Sequence, residues 1–333
     1  MSVASAGGAK DVTLVAGRDY PNTYREFVAL FPDDRACATY VTQWHWPEGC
    51  ICPACERDST PWTQSRGRLV GPACRHQPSV TAGTIFDTTR TPLTTWFEAA
   101  WHVTTAKKGL SAKTLERTLG THYRVAWTRR QRFRVAMVAA ERSPLSGEVE
   151  VHEPLVEGVQ HGGQRGRGSK KSVVVIAVEV RQPTGVGRVR MRHVSEASGA
   201  SLLPFVRDMV APEAVVRTDG WDGDNGLPQL GYTRNAIVRS SSGDPAHVSM
   251  PGVHRVASLL KRWILGTHQG SIVPTHLQSY LEEFTFRFNR RTSRSRGLVF
   301  RRLLEQAVVT RPVTEADVTD GYDWPHQGIS GRS

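Results

Sequence analysis

The order of elements available to residues 147–308 restricts this chain more than any other feature. SGEVEVHEPLVEG, at 146–158, alternates apolar and polar residues with the period of a strand. SVVVIAVEVR and GRVRMRHVSE read as two further strands. ASLLPFVRDMVA reads as a helix, with Pro204 expected in its first turn, where a missing N–H is tolerated. AVVRTDGWDG is a strand ending in a polar turn, and YTRNAIVR is another strand. Helical runs follow at 253–265, at HLQSYLEEFTFRFNRR and at FRRLLEQAV. The order β-β-β-α-β-β-α-α implies an α/β domain spanning 144–310.

Upstream of it the chain changes character twice. Residues 1–18 read as a flexible tail, and 19–90 as an amphipathic helical start followed by a small β-rich knuckle. The knuckle holds most of the five cysteines, clustered in one short window, which argues for metal over disulfides. Cys52 and Cys55 form one CxxC pair, Cys74 supplies a third thiolate, and His76 or Cys50 would close a tetrahedral zinc set. Residue 71, where a second pair would begin, is Gly. Cys37 reads as a buried apolar residue on the preceding helix.

Residues 91–143 read as three helices joined by short turns. Ser111 is a candidate N-cap, Gly120 a stop and Thr121 a possible cap for the third helix. That helix carries Arg124, Arg129, Arg130, Arg132 and Arg134, so the segment reads as a helix-turn-helix-like DNA-binding unit. Trp96, Trp101 and Trp127 fall at core-forming positions. Lys261 and Arg262 are expected to meet phosphate, and Arg290 and Arg291 at a basic helix end are expected to face DNA. The acidic residues of 311–333 read as a solvated tail. Lys and Arg total 43 against 31 acidic residues, a formal charge of +12, which makes a polyanion the expected partner. No run approaches the roughly 18–20 apolar residues of a membrane span, and the start lacks an apolar signal core, so a cytoplasmic, nucleoid-associated protein is expected.

Several blocks together resemble one family. SVTAGTIFDTTRTPLTTWFEAAW with KKGLSAKTLERTLG, then GEVEVHE, RTDGW, GVHRVASLLKRWILGTHQG and HLQSYLEEFTFRFNRR are similar to transposases of the insertion-sequence family fifteen ninety-five, over about residues 25–308. The resemblance implies a ribonuclease-H-like catalytic domain after a zinc ribbon, and chemistry in which carboxylates hold two Mg²⁺ or Mn²⁺ ions. The implied substrate is double-stranded DNA at the element's terminal inverted repeats, bound by a homo-oligomer. Asp219 aligns with the second catalytic Asp. His152 stands where the family has its first Asp, and His254 stands at the third metal position, with Lys261 two helical turns on. Neutral imidazole is a poor Mg²⁺ ligand, so impaired cleavage is expected. The alternative is a catalytically inactive, transposase-derived DNA-binding protein. Glu150 reads as too far from the position of His152 to replace it, and Glu282 and Glu283 as surface residues.

Overall fold

The computed structural model describes residues 14–47, 79–138, 142–156, 172–181, 185–237, 249–270 and 272–320, with four two-residue strands between 50 and 70. Helices α1 (Tyr24–Leu30) and α2 (Asp34–His45) start at caps written in the sequence. Thr23 accepts the Glu26 N–H and Asp33 that of Ala36, each satisfying an amide that the first turn leaves without a helical partner. Strands β1 (Cys50–Ile51) and β2 (Asp58–Ser59) pair antiparallel, as do β3 (Trp62–Thr63) and β4 (Leu69–Val70).

Three helices follow: α3 (Leu93–Thr105), α4 (Ala112–Leu119) and α5 (Tyr123–Ala136). Ser111 caps α4 as its sequence suggests. Helix α5 is capped by His122 rather than Thr121, with no side-chain bond to its first amides. The aromatic residues of α1 and α3 converge on Phe300 of a C-terminal helix, α9 (Arg296–Val309). Phe31 and Phe97 lie 4.9 Å apart by ring centroid, and Trp101 and Phe300 lie 5.7 Å apart. Each such fully buried ring contributes about 1.5–3 kcal/mol of hydrophobic stabilisation. The apolar faces of α1–α3, α5 and α9 therefore form one core, with Trp96 and Trp101 inside it. Trp127 is half-buried against a small cluster of Val135, Val313 and Val318. That cluster docks α10 (Glu315–Thr319) onto α5, in a stretch that the sequence suggested was a solvated tail.

The second core surrounds a mixed sheet. Strand β5 (Glu148–His152) pairs antiparallel with β7 (Ser172–Val180), matching His152 to Ile176. The short β6 (Leu155–Val156) pairs with β7 in the same register, Leu155 opposite Val173, so it continues β5 beyond Glu153 and Pro154. Pro154 has no N–H to give the ladder, but its carbonyl accepts from Val174 N–H at 3.2 Å. On the other side of β7 runs β8 (Val186–Val194), antiparallel, while β9 (Val215–Thr218) lies parallel to β5 and β10 (Thr233–Ala236) parallel to β9. The spatial order is β10, β9, β5 with β6, β7, β8.

Period-two alternation divides the sheet's faces. Val149, Val151, Val175 and Ala177 pack on α6 (Gly199–Met209), whereas Val174, Ile176, Val178 and Met191 pack on α7 (Pro251–His268) and α8 (Pro274–Asn289). Pro204 sits in the second turn of α6, not the first, and so removes one helical bond there. The outer edge of β8 is closed by α8. Asn289 bonds both the N–H and the C=O of Val189, and Gln278 bonds His193 N–H and Met191 C=O. These side chains satisfy backbone groups that an open edge strand would offer to another chain.

Candidate active site

Glu148, Glu150 and His152 share one face of β5, and the structure gives each a different partner. Glu148 pairs with Arg217 of β9 at 3.0 Å. Glu150 is buried, and its Oε2 accepts the Val253 N–H at 2.7 Å, holding the uncapped N-terminus of α7 against the sheet. Burial pushes the Glu150 carboxyl up, while the backbone N–H of Val253 and the charge of Arg217 pull the other way. A Cβ on Gly252 would stand 2.8 Å from Glu150 Oε2, so a larger residue there would make the carboxylate shift. Glu150 is thus committed to anchoring α7.

His152 ends β5 beside the residue that follows β9. Because β9 runs parallel to β5 with Arg217 opposite Glu150, Asp219 arrives next to His152. The distance from His152 Nδ1 to Asp219 Oδ2 is 3.6 Å. His254, in the first turn of α7, brings its ring centroid to 4.8 Å from that of His152. The three positions that the sequence reading joined are therefore one cluster, half-buried at the C-terminal ends of two adjacent parallel strands.

Two further carboxylates belong to this neighbourhood and had no role in the sequence reading. Glu153 lies just beyond His152, where burial and the charges of Asp219 and Asp224 push its carboxyl up to about 7. Asp224 is buried in the turn after β9 and pairs with Arg234 of β10. Among the described residues, no group of three or more His, Cys, Asp or Glu is arranged to hold a metal ion. The trio of His152, Asp219 and His254 offers one carboxylate and two imidazoles, which by itself does not fit a pair of Mg²⁺ or Mn²⁺ ions that need hard oxygen donors.

The expected DNA-facing cations divide. Lys261 and Arg262 are exposed on α7, and Arg124 is exposed on α5, where it pairs with Glu315. Arg132 is half-buried. Arg129, Arg130 and Arg134 are buried, where the sequence reading expected an exposed basic face. Arg130 and Arg134 turn inward because Glu283 of α8 lies beneath α5, at 3.0 and 2.9 Å, with Arg287 at 3.1 Å. Glu283 is consequently buried, not superficial, and these three cations hold its carboxyl far below the usual range against the opposing effect of burial. Glu282 is buried too, 2.5 Å from Arg142. Arg290 and Arg291 brace the end of α8 instead of projecting freely. Each lies 4.0 Å over a ring, of Phe286 and Phe288 respectively, and Arg291 also donates to the Gly187 carbonyl. Cys52, Cys55, Cys74 and His76 lie outside the described residues. Cys37 is fully buried, which raises its thiol pKa.

Residues 144–289, which contain the whole sheet and the Asp219 cluster, match the family model of the ISXO2-like transposase domain. The chain is also 28% identical over 287 residues to an uncharacterized protein in transposable element ISH50 of Halobacterium salinarum, covering 78% of this chain and 92% of the relative. Both likenesses support an insertion-sequence transposase in general. No solved structure matches. Among the described residues, no helix is long and apolar enough to cross a membrane.

Proposed function

We propose that this protein is an insertion-sequence transposase that binds double-stranded DNA at terminal inverted repeats and whose metal-dependent cleavage and strand transfer are impaired. The observation that carries the reading is the convergence of His152, Asp219 and His254 inside a stretch similar to a transposase domain. The strand order, with three antiparallel strands followed by two that run parallel to the first, supports a ribonuclease-H-like arrangement. In such a sheet a carboxylate at the end of the strand beside the first strand is aimed at a site between them, where Asp219 stands.

His152 is the reason for impairment. An imidazole at this position replaces the hard donor expected there, and Glu150 is engaged by α7. The same donor mismatch favours the second reading, an inactive transposase-derived DNA-binding protein. Arg124, Arg132, Lys261 and Arg262 are the cations this reading assigns to DNA, as oligomers assemble on the element ends. A zinc ribbon built on Cys52, Cys55, Cys74 and His76 belongs to the same proposal, and metal analysis of the purified chain tests it.

Binding to a duplex carrying matched inverted repeats, compared with a scrambled duplex over a range of salt, tests the DNA reading. Affinity is expected to fall steeply with salt, by a log–log slope of about −0.9 per phosphate contacted. Equal affinity for both duplexes would contradict recognition of element ends.

A further inference from the structure

Arg129 is the least satisfied of the buried arginines among the described residues. Arg130 and Arg134 meet Glu283, and Arg190 donates to the carbonyls of Val189 and Ser143. Arg129 is 2% exposed and donates only to the Thr91 hydroxyl, at 3.2 Å, while its Nε and Nη1 have no hydrogen-bond partner. Among the described residues, no carboxylate pairs with it. Burial and the neighbouring charge of Arg132 push its guanidinium down to about 10. A buried cation without an anion is costly, and a fold that retains one has a use for the missing charge.

The surroundings say what that charge is. Arg129 lines a cavity of about 480 Å³ together with Arg132, Arg124, His122, Thr88 and Thr91. The N-terminus of α5 opens into it, with no acidic residue in its first turn and no side-chain cap. The amides that a helix's first turn leaves without intrahelical partners, and its positive dipole end, favour an anion. Thr88, a β-branched residue in the lining, has φ 53, a strained backbone. Trp96 is the floor, with the Arg129 guanidinium 5.1 Å from its ring centroid. Planar guanidinium forks, hydroxyls and helix amides suit a tetrahedral oxyanion, which accepts from several directions at once.

We infer that this cavity is a phosphate-binding site, separate from the Asp219 cluster, in which Arg129 and Arg132 grip a phosphoryl oxyanion and Glu315 guards the entrance. Glu315 of α10 pairs with Arg124 at the rim and leaves Arg129 untouched. The charges of Glu315 and Asp317 also act on Arg132, so acidic helix α10 is an internal competitor for Arg124 and Arg132. The inference rests on the geometry around Arg129 and holds whether or not the Asp219 site cuts DNA.

Calorimetric titration of the full chain with inorganic phosphate at constant ionic strength tests it. The unaltered protein is expected to bind saturably, and R129M to bind about tenfold more weakly or not at all, since it loses charge-assisted donors. R132Q, at a half-buried position, provides the same test should R129M fail to fold. E315Q is expected to bind phosphate more tightly, a gain that misfolding cannot mimic. A short DNA duplex added as competitor separates two sources of the same chemistry. Displacement identifies backbone phosphate, and lack of displacement identifies a small phosphate-bearing molecule. Absence of saturable phosphate binding, or affinity unchanged in both R129M and R132Q, would overturn the inference.

Discussion

His152 Nδ1 lies 3.6 Å from Asp219 Oδ2, so the residue that departs from the expected carboxylate is in contact with the one that retains it. H152D would place two carboxylates side by side at the ends of β5 and β9. Without divalent metal the pair repels, and H152D is expected to be less stable than the unaltered chain by about 1–2 kcal/mol. Mn²⁺ should reverse that loss and raise the melting temperature of H152D more than that of the unaltered protein, read by thermal denaturation with and without chelator.

Glu153 gives the site a pH signature. Its carboxyl titrates near 7 in the fold against 4.5 for the ordinary group. The folded state therefore binds this proton more tightly, and the associated stability is present below about 4.5 and lost as the pH rises through 7. E153Q removes the loss and is expected to stabilise the protein at pH 8 by roughly 1–3 kcal/mol, with little effect at pH 4.5. Denaturant unfolding at the two pH values checks it.

His268 works in the opposite sense. Burial, followed by the charge of Arg134, pushes its imidazole from 6.5 down to about 3. The unfolded chain takes up that proton first, so stability present above about 6.5 is lost as the pH falls toward 3. His268 lies against Tyr280 and Trp263, with ring centroids 4.7 and 4.8 Å away. H268F, which cannot charge, is expected to flatten the acid limb of the stability curve without altering the E153Q effect. An unchanged acid limb in H268F would contradict the assignment.

The buried network on α8 ties α5 to the sheet domain. E283A would strand Arg130 and Arg134 as buried unpaired cations and is expected to cost about 3–5 kcal/mol in urea unfolding. G297A probes the other joint. A Cβ at Gly297 would fall 1.6 Å from the Pro21 carbonyl oxygen, so the chain before α1 must move off α9. A loss of about 3 kcal/mol or more is expected.

Much of the sheet was legible because its signals are local. The alternation at 148–152 gives β5, and the polar turn after an apolar run gives Asp219 its place. The roles of the α5 arginines were not legible, since a basic helix reads the same whether it faces DNA or a carboxylate. Here that carboxylate is Glu283, some 150 positions away on another helix. Glu153 was missed for a related reason. Its perturbation comes from burial and from the charges of Asp219 and Asp224, all of which arise only once β9 has docked beside β5. The cavity at Arg129 had no sequence signal beyond charge, because it is assembled from the loop before α3, the start of α5 and the distant α10.

Nicking of a duplex carrying the matched inverted repeat, in Mg²⁺, by the unaltered protein and by H152D, tests the central claim most directly, with D219N as the blank. The account predicts that H152D nicks faster than the unaltered protein by about tenfold or more, because a second hard donor joins Asp219. Equal rates for the two, both well above D219N, would contradict it.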